Sequence, residues 1–270
     1  MSPLTDGARL LAAATGVPDY TPTVTPIEEH AGVLVKREDA WTRSGASGAK
    51  ARALFTAAEN AQGVVSAGAR ISPQLERAAL VAHALGIPAR LHTGYGKPTN
   101  ETQLAEAAGA TVFRHHPGRL TVIRARYRAD AHTYKEAGWA CVPFGMEHPV
   151  YLAQVSEQAT RLPREVGRVV VPVGSGMTLA AIIRGLEASG HTATVLGVRV
   201  GADPTRLLDW YAPGWTERTT LVDAIDFYDE AADNHLGDLA LDPHYEAKCL
   251  PFVGDGDLLW AVGARTSTLI

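Results

Sequence analysis

Cysteine is almost missing from this chain: Cys141 and Cys249 are the only two among 270 residues. They lie far apart, form no Cys-x-x-Cys pair and match no metal-ligand spacing. A dithiol redox centre and a zinc site are therefore not expected, no metal is assigned, and two packed thiols in a reducing compartment fit better. Long apolar runs are also missing. None approaches the roughly 20 residues that a membrane-crossing helix needs. Met1–Gly16 has one short apolar patch, Leu10–Ala14, without a basic stretch ahead of it, so no secretory leader is expected and a cytoplasmic location is. A charge excess is missing too. With 25 Lys+Arg against 29 Asp+Glu, the net charge of −4 gives no general pull toward nucleic acid or an anionic membrane, although it leaves room for a local basic patch. No internal repeat, low-complexity tract or linker-like stretch breaks the chain. The apolar share of 46% and the charged share of 20% are ordinary for a folded protein. This length allows one large domain or two small ones.

What is present is an alternation of strand and helix patterns. Strands are expected at Gly32–Lys36, Gly63–Ala67, Ala89–Thr93, Ala110–Arg114, Trp139–Phe144, Arg168–Val173, Ala193–Val198 and Asp257–Val262. Helices are expected at Ala49–Gln62, Pro73–Leu85, Leu104–Ala108, Ile123–Ala137, Val150–Leu162, Thr178–Ala188 and Pro204–Trp210. Ser72 is placed to cap the second of these, with Pro73 at its first position. Asn100 and Gln103 have capping-box spacing ahead of the third. His115 and His116 would diverge on a strand and read as surface or structural residues. Strands separated by helices imply an α/β fold with parallel sheets covered by helices. Such sheets bind ligands where strand ends lead into helix starts, which directs attention to the segments after Lys36, Ala67 and Val173.

The segment after Val173 reads Gly174-Ser175-Gly176-Met177-Thr178, between the β-branched run Val169–Val173 and the apolar helix pattern that follows. Two glycines free the backbone to present N–H groups inward, and a helix start adds partial positive charge. Ser175 and Thr178 add hydroxyl donors. Such a turn suits a phosphate, though similar turns also serve plain strand-to-helix connections. No Gly-Lys-Ser/Thr follows, so it is not a Walker loop. Val173 and Met177 flank Ser175 where a nucleophile elbow needs glycine.

Lysine is scarce: Lys36, Lys50, Lys97, Lys135 and Lys248 are the whole set. Lys50 stands out because it follows the small-residue run Ser44–Ala49 and opens an apolar helix. The positive end of a helix disfavours a charged amine, and a neutral amine is what Schiff-base chemistry requires. Taken alone, a solvated lysine on a first turn would be the better reading; the phosphate-type turn downstream favours chemistry.

These segments resemble the fold-type-II, tryptophan-synthase-β-like pyridoxal-phosphate (PLP) enzymes, and within them the D-cysteine desulfhydrase and 1-aminocyclopropane-1-carboxylate deaminase group. Val35-Lys36-Arg37-Glu38-Asp39 is similar to that group's Val-Lys-Arg-Asp-Asp. Gly48-Ala49-Lys50-Ala51-Arg52-Ala53-Leu54 is similar to its Gly-Asn-Lys-x-Arg-x-Leu. Ser66-Ala67-Gly68 through Ser72-Pro73-Gln74, Val142-Pro143-Phe144-Gly145, the Gly174–Thr178 turn and Leu241–Lys248 follow in the family's order. The resemblance implies two α/β domains with twisted, mainly parallel sheets: a small one over 47–148, and a large cofactor-binding one from 1–46 and 149–270, with PLP in the cleft between them. It implies that Lys50 binds PLP, that Gly174, Ser175, Gly176, Met177 and Thr178 hold its phosphate, and that Ser72 and Gln74 face the substrate. Tyr245 would reach the active site, and Arg70 on the same turn as Ser72 is a further candidate for the substrate.

The implied reaction is aldimine formation with a small amine or amino acid, proton abstraction, and elimination or deamination. Departures from the pattern bear on this. Ala49 and Pro73 replace asparagines, Met177 replaces a glycine, and Val262-Gly263-Ala264-Arg265 replaces the closing His-Thr-Gly-Gly, leaving Thr266 or Ser267 as substitute hydroxyls toward the pyridine nitrogen. These changes, and a chain short after Leu221, leave open an amino group carried by a larger molecule such as a modified nucleotide or peptide, and an inactive binding protein of the same fold. A homodimer is compatible with the resemblance.

Overall fold

A computed structural model describes residues 6–268, and its contacts divide into two compact units. Unit one gathers the described residues through Thr21, Thr42–Val150, and those from Arg265 onward; unit two gathers Pro22–Trp41 and Tyr151–Ala264.

Unit one is built on a four-stranded parallel sheet in the order Thr111–His115, Ala89–Gly94, Val64–Ala67, Ala140–Val142. Its helices are α1 (Asp6–Thr15), α2 (Gly48–Ala58), α3 (Pro73–Leu85), α4 (Asn100–Ala107) and α5 (Leu120–Lys135). The strand Val64–Ala67 is buried on both faces, which is why it reads as an unbroken run rather than an alternation. Close packing fixes where small residues sit. A Cβ on Gly7 of α1 would lie 2.4 Å from the Gln103 carbonyl oxygen on α4, and one on Gly45 would lie 2.7 Å from the Ala14 backbone.

Unit two carries a six-stranded sheet in the order Ile27–His30, Val33–Arg37, Asp257–Ala261, Arg168–Val173, Thr194–Arg199, Thr219–Asp223. The first pair is antiparallel and the rest are parallel. Its helices are α6 (Pro149–Thr160), which begins at the boundary, α7 (Met177–Ala188) and α8 (Thr205–Tyr211). Val169–Val171 and Leu258–Ala261 form the buried centre of the sheet. The architecture is the mixed α/β fold with helix-flanked parallel sheets that the sequence pattern predicts.

Several boundaries differ from the sequence expectation. Helix α4 starts four residues early. Its cap is Thr99, which accepts from the Thr102 backbone while the Thr102 hydroxyl accepts from Thr99 N–H, so a threonine does the work expected of Gln103. The strand expected through Phe144 ends at Val142, since Pro143 has no N–H to continue the ladder and Gly145 turns with φ +76°. Helix α5 begins three residues early, at Leu120. Helix α1 and the strands Ile27–His30 and Thr219–Asp223 lie where no element was expected.

Candidate functional site

In unit two the chain leaves the buried strand Arg168–Val173 and turns at Gly174–Gly176 into α7. Gly176 has φ +96°, a left-handed conformation that strains any residue with a Cβ, and a Cβ there would also stand 2.9 Å from the Pro204 side chain. A Cβ on Gly174 would stand 3.0 Å from Tyr245 Cε1, and one on Gly201 would stand 2.8 Å from the Gly174 carbonyl oxygen. Glycine is therefore required by conformation at Gly176 and by close backbone approach at Gly201, and at Gly174 a Cβ would press on the Tyr245 ring. The first turn of α7 holds no carboxylate, and its N-cap residue, a glycine, offers no side-chain acceptor. Ser175 Oγ accepts from Met177 N–H at 3.4 Å, a weak bond. Thr178 is held by the hydroxyl of the fully buried Tyr151, 2.7 Å from its Oγ1. A helix start without acid or N-cap side chain, its first N–H held only weakly by Ser175 and entered through glycines, has the donor set a phosphate needs. These residues fit the phosphate of PLP.

Tyr245 stands against this turn and does not stand alone. Its hydroxyl lies 2.8 Å from that of Tyr228, and the two rings meet edge to face with centroids 5.6 Å apart. The Tyr228 segment is pinned in turn: His244 Nδ1 is 3.0 Å from the Tyr228 carbonyl oxygen, and Lys248 Nζ donates to the carbonyl of Phe227. Burial pulls the Lys248 pKa down. Neither Tyr228 nor Tyr151 was singled out from the sequence. Both lie outside the glycine- and lysine-centred motifs, and only their three-dimensional neighbours give them roles.

In unit one, Lys50 is the third residue of α2 and is half-buried. Gly48, with φ +88°, swings the chain into the helix, and Arg77 Nε donates to the Ser47 carbonyl oxygen at 2.9 Å, fixing the entry. The other lysines are placed differently. Lys36 is buried and donates to the Thr25 carbonyl and to Gln158 Oε1, Lys248 is tied to the 226–227 backbone, and Lys97 and Lys135 are exposed. Lys50 alone of the five is half-buried at a helix start.

Ser72 and Gln74 share the start of α3. Ser72 is its N-cap, accepting from Gln74 N–H, and Pro73 occupies the first turn, as the sequence predicts. The amide nitrogen of Gln74 donates to Ser66 Oγ at 3.0 Å and to the Pro143 carbonyl at 2.8 Å. Its donors thus bind three segments of unit one together. Arg70 turns away to the next loop, where Nη1 donates to the Lys97 carbonyl at 2.9 Å. Thr266 N–H donates to Oε1 of Glu76, a fully buried carboxylate whose pKa is pushed up to about 7, chiefly by burial. Arg265 beside it pairs with Glu101. The thiols are free, with Cys249 buried, and His115 bonds to His92, the structural one of the two roles expected of it.

The comparisons with known proteins bear on the whole chain. An ACC deaminase homologue superposes with a TM-score of 0.73 over 94% of each chain at 22% identity. Threonine deaminase isoform 2 from Solanum lycopersicum gives 0.58 over 99% of this chain and 89% of that one at 16% identity. Escherichia coli diaminopropionate ammonia lyase gives 0.58 over 98% and 88% at 15% identity. At these identities the likeness is one of fold. No curated protein matches. A family model described as pyridoxal-phosphate dependent enzyme matches residues 19–236, and the chain therefore belongs to that fold-type-II family, whose cofactor is PLP.

Proposed function

We propose that the protein is a deaminase- or lyase-type PLP enzyme acting on an amino-acid-sized amine. The observation that carries this is that one chain holds both a glycine turn at an acid-free helix start and a half-buried lysine, Lys50, at a second helix start, in a family that uses PLP. When bound, PLP supplies an electron sink for the charge left as a proton departs from the carbon bearing the amine. Gly174–Thr178 would hold the phosphate, with Ser175 and Thr178 as hydroxyl partners and Gly176 and Met177 through the backbone. Lys50 would be the covalent anchor, and its Nζ would carry the proton away from and back to the substrate. Tyr245, held by Tyr228, presents a hydroxyl beside the phosphate turn. Ser72 lies at a helix start suited to a substrate carboxylate, and Gln74 stiffens that turn rather than reaching outward. Thr266 is placed by its backbone bond to Glu76, and Arg70 braces the neighbouring loop. Deaminases and an ammonia lyase stand among the structural neighbours, which accords with elimination or deamination; a sulfhydrylase and serine racemases share the fold as well, so the substrate panel below decides the reaction. The reading with a bulkier substrate rested on the departures from the family pattern and on a chain short after Leu221. The superposition spans 94% of the deaminase homologue, which removes the argument from length.

Pro73 restricts the substrate side. It brings no side-chain donor and no N–H where the resembling group has asparagine, and a polar site discriminates through paired groups. The expected outcome of adding D-cysteine and 1-aminocyclopropane-1-carboxylate to the holoenzyme is weak release of sulfide, ammonia or keto acid, with stronger release from another amino acid in a panel. Efficient turnover of either would contradict the role given to Pro73. A panel without any turnover or cofactor spectral change would contradict the enzyme reading itself.

A further inference from the structure

A threonine inside a helix can donate its hydroxyl back to the carbonyl three or four residues before it. Thr178, in the first turn of α7, could reach Ser175 or Gly174 in this way. It does not: among the described residues, the bond of Thr178 Oγ1 is to the Tyr151 hydroxyl, at 2.7 Å. Tyr151 is fully buried and reaches Thr178 from α6. A firm brace brings it there, and all of it lies in unit two. The buried face of α6 carries Tyr151, Val155, Gln158 and Ala159, the spacing of one helical stripe. Near the far end of the stripe both ends of the Gln158 amide are fixed. Its Oε1 accepts from Thr25 N–H at 3.0 Å and from the buried Lys36 Nζ at 2.9 Å, and its Nε2 donates to the Thr23 carbonyl at 2.7 Å. Helices α6 and α7 also meet closely, since a Cβ on Gly185 would stand 2.3 Å from the Ser156 carbonyl oxygen. About two turns along α7 from that contact, the phenol meets Thr178.

Counting protons gives this pair a direction. Each hydroxyl has a single proton, and one of the two lies in the bond between Tyr151 and Thr178. A phosphate dianion offers acceptors only. If Thr178 donated to Tyr151, it would turn lone pairs toward the phosphate. If Tyr151 donates to Thr178, the Thr178 proton is left for the phosphate. We propose that Tyr151 is a positioning residue for the cofactor phosphate: it donates to Thr178 and so directs the Thr178 hydroxyl proton at the phosphate and away from its own helix. Hydrogen bonds in such a chain polarise and strengthen one another. The role rests on the reading of Gly174–Thr178 as a phosphate turn, and Tyr151 acts through Thr178.

The test is the PLP affinity of the full-length protein, titrated by absorbance, with the phosphorus NMR resonance of the bound phosphate as a second readout. Thr178→Val should weaken PLP binding at least about tenfold, the scale of a hydrogen bond to a charged group. Tyr151→Phe keeps the ring and removes only the hydroxyl; it should weaken binding about three- to tenfold, the scale of a neutral bond. The deciding measurement is the double-mutant cycle: in a Thr178→Val background, Tyr151→Phe should change affinity by less than about twofold. Thr178→Ser, which keeps the hydroxyl, should retain both the wild-type affinity and the sensitivity to Tyr151→Phe. The phosphorus resonance should move in each single variant, and Tyr151→Phe should move it no further once Thr178 is valine. A tyrosine that merely packs would lower affinity equally in both backgrounds, and that additive result would overturn the proposal. So would a Tyr151→Phe protein with wild-type PLP affinity. Borohydride labelling at Lys50 and a Gly176→Ala titration, run alongside, separate this failure from failure of the site. If Lys50 is labelled and Gly176→Ala weakens binding while Tyr151→Phe is silent, the phosphate turn stands and the role of Tyr151 falls. If Gly176→Ala and Thr178→Val are both silent, the phosphate lies elsewhere and both readings fall together.

Discussion

At the scale of single residues, the phosphate turn depends on what is not there: a Cβ at Gly176. Its φ of +96° and the 2.9 Å approach to Pro204 combine a conformational and a steric demand. Gly176→Ala should cost on the order of 1–2 kcal/mol in the backbone alone and displace the turn. The expected result is a PLP affinity lowered at least about tenfold in a titration, with a cooperative urea transition retained. Unchanged affinity would place the phosphate elsewhere. The glycines themselves were legible from the sequence, because a strand, two glycines and an apolar helix make a recognisable order. Their walls were not. Tyr245 could be picked from the Leu241–Lys248 segment, but its partner Tyr228 sits in an acidic loop without periodicity, and no spacing rule links the two hydroxyls. Arg70 shows the opposite limit. Proximity in sequence to Ser72 suggested the substrate side, whereas its guanidinium reaches the Lys97 carbonyl.

At the scale of elements, α3 was read with its cap, its first-turn proline and both ends, since Ser72 and Pro73 are strong local signals; the structure adds the left-handed Gly86 that closes it. Helix α4 shows how such signals mislead: Thr99 and Thr102 form the capping box one position before the pair that matched the motif. The strand Thr219–Asp223 was missed because it lies at the sheet edge, half-exposed, without the apolar run that marks central strands. Helix α3 also carries a consequence for stability. Glu76 is fully buried, and burial, aided by Glu101, raises its pKa from 4.5 to about 7 against the opposing pull of Arg77 and Arg265. The folded state then binds a proton more tightly than the unfolded chain. Stability is fullest below the unfolded value and falls as pH rises from about 4.5 to about 7. Glu76→Gln, which keeps an oxygen for Thr266 N–H, should flatten that decline and leave the variant at least as stable as the wild type at pH 8. Urea midpoints across this range test it; a wild-type slope in the variant would contradict it.

At the scale of the whole molecule, the alternation of strand and helix was enough to predict helix-covered parallel sheets, and the ordered motifs were enough to predict the family. Which stretches of chain gather into each unit was less legible, because α1 and the segment from Arg265 join unit one through close packing and a buried ion pair that no periodicity announces. The central claim is that PLP is held through Lys50. It is tested most directly by reducing the holoprotein with borohydride, digesting it and sequencing the peptide that carries the pyridoxyl group. The account predicts one labelled peptide, modified at Lys50 within Gly48–Leu54, and no label in Lys50→Ala. A pyridoxyl group on Lys36, Lys97, Lys135 or Lys248, or a Lys50→Ala protein that still traps it, would contradict the account.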